Sequence, residues 1–323
     1  ASAKQILLST NPASGQPDYL PSVAAFLGLS QQLPMHASVV VGLLRTLSRH
    51  PAYQWKMAQL LRRVGGQELQ GNCAALLDVS SLRCPLWEED ELDPEAITSE
   101  RDLRGRTALS VLELLLESLQ GADSSMAIFL LGFKADAPSE SLIEEAGVSG
   151  CPRTALHAVA EMVELALDRE LDSLEWRGLL EPAGRVLAEL CGHALLGPPT
   201  LRFLRSAHSL FAAIVIRLCS YPLQPDMQPS ERGFLAHLHM LLAEELAHLL
   251  NSGQTSQTHR LLVPLLSDQT SSSGFDATLA DPTLSQSHFL SQTLGALSRT
   301  TTGFLSRKDQ GGGGGPLLRL LLQ

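Results

Sequence analysis

Cys151, followed six residues later by His157 in the run Gly150–His157 (GCPRTALH), is where this chain comes nearest to reactive chemistry. A cysteine at a helix start has its thiolate favoured by the helix dipole, and a neighbouring imidazole could take the proton. The spacing argues against the pair, because six residues turn a helix through about 240° and carry His157 away from Cys151. Cys151 therefore reads as a small packing residue beside Pro152, with Pro152 in the first turn of the next helix.

The ten histidines of the chain raise the possibility of a metal. His237 and His239 lie about 200° apart on a helix and cannot share an ion. His237 and His248 share a face but are separated by about 16 Å of rise. Cys191 and His193 fail by the same two-residue offset. The run Glu88–Glu95 holds six carboxylates in eight positions, yet it lacks the fixed ligand pattern and central Gly of a calcium loop. It reads as a solvated acidic loop, with contact to a basic partner segment as the other use. No nucleophile-elbow, zinc-protease, phosphate-loop or dinucleotide motif occurs. The residues thus assign no catalytic, cofactor-binding or metal-ligating position, and neither enzymatic activity nor a cofactor is expected.

The elements that hold these residues are helical. The composition is rich in Leu and Ala and only 5% aromatic, which favours helix over sheet. Pro21 opens an apolar stretch to Leu29, Pro34 precedes a helix over His36–Arg49, and Pro51 starts one that Gly65–Gly66 ends. Gln67–Asp78 follows, then a loop over Trp87–Glu100. Arg101–Gln120 carries Leu103, Ala108, Val111, Leu112, Leu115, Leu116 and Leu119 at three-four spacing. Asp123 suits an N-cap for the helix that runs to Gly132. Ser141 with Glu144 has capping-box spacing for a short helix stopped by Gly147. Behind Pro152, Leu156, Val159, Val163 and Ala166–Leu167 form one face.

Leu171–Leu196 is helical but interrupted by Gly178, Pro182 and Gly184, which suggests two pieces. Pro198–Pro199 start an all-round apolar helix reaching Leu218, of the kind buried among neighbours. After the prolines at 222, 225 and 229, Phe234–Leu250 and His259–Leu266 are the last helices. The pattern predicts an all-α fold: an irregular α-solenoid of stacked antiparallel helical hairpins, HEAT/armadillo-like without a fixed repeat. Residues 1–268 form the solenoid segment, with its acidic loop near 87–100. Residues 269–323, with five consecutive glycines at 311–315, read as a mostly disordered tail holding one marginal helix.

A net charge of −10 speaks against a nucleic-acid surface, as does the brevity of the one basic pair, Arg62–Arg63. Apolar runs are too short for a transmembrane segment. Five widely spaced cysteines, odd in number, suggest thiols in a reducing compartment. No charged n-region precedes Ile6–Leu8, so no signal peptide is expected, and the simplest account is a piece of a longer protein.

Three blocks carry a family resemblance: Phe129–Phe133 (FLLGF), Gly150–His157 (GCPRTALH) and Gly197–Ser206 (GPPTLRFLRS). Together with Leu187–Cys191 (LAELC) and Ser256–Leu266 (SQTHRLLVPLL), they occur in the same order as segments of the giant α-helical scaffold nucleoporins of the nuclear pore inner ring, which the chain resembles over about Arg101–Asp268. Residues 1–100 agree in helical character alone. The resemblance implies an internal stretch of a scaffold solenoid at the nuclear envelope. Such a scaffold binds short helical segments of linker nucleoporins and other inner-ring proteins, and it supports nucleocytoplasmic transport without a reaction of its own. It implies no nucleic-acid partner and no site residues. The competing reading is a soluble karyopherin-like adaptor, which would want a regular two-helix repeat and an acidic inner face.

Overall fold

In the computed structural model the described residues are 3–10, 15, 19–63, 65–79, 94–120, 125–168, 177–220, 227–254, 256–258 and 260–261, with side chains of 94–100 outside the description. They are all-α, with no strand among them. The tail expected over 269–323, the boundary at 268, Asp123 and most of His259–Leu266 lie outside the described residues.

The helices are α1 (Ala3–Leu7), α2 (Tyr19–Ala24), α3 (Pro34–Ser48), α4 (Pro51–Arg63), α5 (Gly66–Leu76), α6 (Pro94–Gln120), α7 (Ser125–Leu130), α8 (Ala155–Asp168), α9 (Arg177–Gly192), α10 (Gly197–Ser206), α11 (Leu210–Ser220) and α12 (Pro229–Asn251). Short 3₁₀ turns cover Ala25–Leu29, Pro138–Glu140 and Val148–Gly150. Two compact units result, Ala1–His208 and Ser209–Gln323.

Within the first unit the helices stack pairwise, as a solenoid does. The row α3, α6, α9 lies against a second row made of the 25–29 turn, α5 and α8. Each row is joined laterally and each pair across the layers, so the apolar stripes face inward between the rows. On α6, Ala108, Val111, Leu112 and Leu115 are fully buried, as their three-four spacing requires. On α8, Leu156, Val159 and Val163 are likewise buried. Arg45 of α3 grips α6 through Glu113 and Glu117, with Nη2 at 2.8 Å from Glu117. In the second unit α11 packs on α12, whose Phe234, Leu238 and Leu242 are buried.

Several local expectations change. The helix expected from Arg101 starts at Pro94, inside the expected loop over 87–100, because proline fits the first turn of a helix. No helix forms at Ser141–Glu144. Ser141 is extended, and its hydroxyl accepts the Lys134 N–H at 2.8 Å instead of capping. Pro152 is not in a first turn: α8 begins at Ala155, after an irregular Cys151–Thr154. Over Arg177–Gly192 one helix runs through Pro182 rather than breaking there. Buried Ala183, Val186, Leu187 and Leu190 anchor it, and α6 and α8 flank it, which outweighs a proline cost of about 3 kcal/mol. The single helix expected over 198–218 is two, α10 and α11.

Candidate functional site

The three blocks that stand out in the sequence meet at one buried node in the first unit. The first block ends α7. Gly132 has φ 85, a left-handed conformation that glycine adopts without penalty. Its N–H donates to the Phe129 carbonyl at 3.2 Å, and the Phe133 N–H donates to the Ile128 carbonyl at 2.9 Å. This is a Schellman stop, which satisfies the last carbonyls of α7 and sends the chain sharply away.

The second block returns to that stop. The Thr154 hydroxyl donates to the Leu131 carbonyl at 3.1 Å. Thr154 precedes α8, and its backbone N–H donates to His157 Nδ1 at 3.1 Å. A third-position side chain reaching back to the N-cap N–H is one half of a capping box, with histidine where glutamate is usual. Because Nδ1 accepts, Nε2 carries the proton and donates to the Glu144 carbonyl at 2.7 Å. His157 is 2% exposed. Burial pushes its imidazole below the ordinary value, more than the hydrogen bond to Glu144 and the nearby Glu161 raise it. The neutral ring therefore ties the 134–151 loop to the start of α8. Beside it Arg153 reaches Asp78 at 2.5 Å and Glu161 at 2.6 Å, joining the end of α5 to α8.

The third block supplies the aromatic wall. Phe203 of α10 is 1% exposed. Its ring meets that of His157 edge to face at 5.0 Å, and that of His208 at 5.2 Å. His208 Nδ1 is bonded to Glu164 at 2.7 Å, which brings α8 back to the same place. Gly197 starts α10 where no larger residue fits: a Cβ would lie 2.3 Å from the Cys191 carbonyl oxygen.

This arrangement positions helices. His157 has both nitrogens engaged within the fold, so neither is directed at Cys151. The Cys151 thiol is half-buried and lies 3.6 Å from the Glu144 carbonyl and 3.8 Å from that of Pro152, four residues ahead of α8 rather than at its start. Cys73 is fully buried and its thiol is pushed up to about 12. His237, His239 and His248 all sit on α12, where His239 is buried and donates from Nδ1 to the Leu235 carbonyl at 2.8 Å. His193, past the end of α9, accepts the Leu195 N–H at 3.2 Å. Among the described residues no three His, Cys, Asp or Glu side chains gather as a metal site. Glu88–Asp93 lie outside the described residues. Thr154, Arg153 and the Glu144 carbonyl are the contributors that local reading missed, although Thr154 and His157 do have capping-box spacing.

The comparison with known families bears on the same blocks. A family model described as nuclear pore complex scaffold, nucleoporins 186/192/205, matches residues 18–294. The chain belongs to this nuclear pore scaffold family. Human nuclear pore complex protein Nup205 is 27% identical over 274 residues, 82% of this chain. The chain spans 13% of that relative's length. All three blocks of the node fall inside the matched region of this nucleoporin family. No described helix by itself is long and apolar enough to cross a membrane.

Proposed function

We propose that this chain is a structural component of the nuclear pore inner ring. In this role it supports protein and mRNA transport by holding other nucleoporins in place, and it catalyses no reaction. The observation that carries this reading is the family match over residues 18–294. The node agrees with it, since the polar groups and rings of Thr154, His157 and Phe203 are engaged by neighbours within the fold, as in a structural joint. The partners would be short helical segments of linker nucleoporins and other inner-ring scaffold proteins, laid into grooves between stacked helices. The place of action would be the nuclear pore complex at the nuclear envelope.

The test is purification of the tagged full-length protein from cells, with imaging of the same tag. Recovery of inner-ring nucleoporins in near-equal amounts, with staining of the nuclear rim, supports the reading. Recovery of soluble cargo with a small GTPase would move the chain to the karyopherin-like class.

A further inference from the structure

Connections between packed helices commonly run about 2–8 residues. The one between α7 and α8 is far longer, and its middle, Lys134–Cys151, contains only two 3₁₀ turns as regular structure. Among the described residues, every backbone–backbone hydrogen bond made by this segment closes within it. Two small turns result. In the first, the Lys134 N–H donates to the Ser141 hydroxyl at 2.8 Å, and the Ser141 N–H donates to the Pro138 carbonyl at 3.2 Å. In the second, the Gly147 N–H donates to the Cys151 carbonyl at 2.9 Å, and the Cys151 N–H donates to that of Val148 at 2.8 Å. Each turn has its own tie to the helices. Arg202 Nη2 of α10 donates to the Ser139 carbonyl at 3.2 Å. His157 Nε2 of α8 donates to the Glu144 carbonyl, which the Cys151 thiol also approaches. Between the two ties Ile143 is inserted, 8% exposed, while Leu142 beside it is 72% exposed.

We infer that Lys134–Cys151 is a strap that opens and closes as one unit while the helices beneath it stay packed. No helix backbone bond has to break for it to leave, since none runs into it. What it gives up is two side-chain ties and the buried seats of Ser141 and Ile143. A segment held by so few contacts opens at a lower free energy than the helices, each of which is bonded along its whole length. Ile143 makes the motion a single one. It lies between the ties, so lifting either turn withdraws it, and the empty seat loosens the other turn. The strap swings on glycines, Gly132 at φ 85 and Gly150 at φ 76, and nothing lies within 4 Å of where a Cβ would stand on Gly150. Opening takes the Glu144 carbonyl off His157 Nε2 and admits water to a ring that is otherwise 2% exposed. The strap is independent of which partners the chain binds.

Hydrogen exchange of the full-length protein, read residue by residue by fragmentation mass spectrometry, tests this. The amides of Lys134 and Ser141 report the first turn, and those of Gly147 and Cys151 the second. All four should exchange through one common opening, about tenfold or more faster than amides in the middle of α8 and α10. Arg202→Gln, at an exposed position, should speed all four by about threefold, the second turn as much as the first, with α8 unchanged. Ile143→Ala should accelerate both turns together and by more. Acceleration confined to Lys134 and Ser141 in Arg202→Gln overturns the strap, because the turns then open separately. Exchange of the four amides no faster than α8 overturns it too, since they then open only with the whole unit. So does exchange at unprotected rates in the wild type, and so does a pair of variants that accelerate neither turn.

Discussion

Gly132 and Thr154 lie so close that a methyl group on the first would meet the Cγ2 of the second at 2.7 Å. The contact joins the stop of α7 to the start of α8 across 22 residues of sequence. Gly132 also has φ 85. Gly132→Ala should therefore cost about 2–4 kcal/mol, part from the left-handed backbone and part from overpacking. Urea denaturation measures it. Adding Thr154→Ser, which removes Cγ2 and keeps the hydroxyl, should restore the steric part alone. Equal stability of Gly132→Ala and wild type would contradict the contact.

Phe203 fills the space between the His157 and His208 rings. Phe203→Ala should cost about 3–5 kcal/mol, with Phe203→Leu intermediate. The same denaturation series reads both. A loss under about 1 kcal/mol for the alanine variant would mean that the wall is not core.

Acid should weaken the fold in two steps. The imidazole of His157 is held below the ordinary value of 6.5 by burial, so the unfolded chain takes up its proton first. Its contribution is complete above about pH 6.5 and is lost as pH falls from there through the lower folded value. His157→Gln should flatten this step in the first unit. Buried His239 acts with the same sign in the second unit, so the flattening should be partial for the whole chain. At lower pH a carboxylate takes over. Burial tends to raise the Glu117 carboxyl, but the hydrogen bonds from Arg45 and Arg49 outweigh it and hold it below the ordinary 4.5. That contribution is present above about pH 4.5 and disappears as pH falls through the depressed value. Melting temperatures across pH 3–8 for wild type, His157→Gln and Glu117→Gln separate the steps.

Arg45 meets Glu117 through both Nε, at 3.0 Å, and Nη2, at 2.8 Å. The side chains are 25% and 26% exposed, so solvent screens the pair only in part. A double-mutant cycle with Arg45→Met and Glu117→Gln should give a coupling of about 1 kcal/mol that shrinks with added salt. A coupling of zero at low salt would mean that the Arg45–Glu117 pair adds nothing to the α3–α6 contact.

Cys151→Ala should change stability by less than about 1 kcal/mol, since the thiol is half-buried and its sulfur contacts with carbonyls are weak. Loss of a chemical reaction in that variant, with the fold intact, would overturn the non-enzymatic reading.

The helices themselves are readable along the chain because the forces that start and stop them act within a turn. Pro34, Pro51 and Pro229 each stand first in a helix, where the missing N–H costs nothing. Gly132 ends one because the left-handed stop suits glycine. The stripe on α6 is buried where its period places it. Even so, Pro94 began α6 inside a stretch whose acidity reads as loop, since a carboxylate-rich sequence is compatible with a helix start as well.

Ser141, Pro182 and His157 follow different rules. Ser141 and Glu144 have the spacing of a capping box, but a hydroxyl bonds to whichever donor the packed chain brings, and here that is the Lys134 N–H. Pro182 stays in a helix because α9 has helices packed on it. His157 is bonded to the Glu144 carbonyl thirteen residues back and faces Phe203 forty-six residues on. Periodicity and punctuation say nothing about such distances. They are set once the layers close, when every buried polar group must find a partner or forfeit its hydration, and the partner within reach depends on the whole stack.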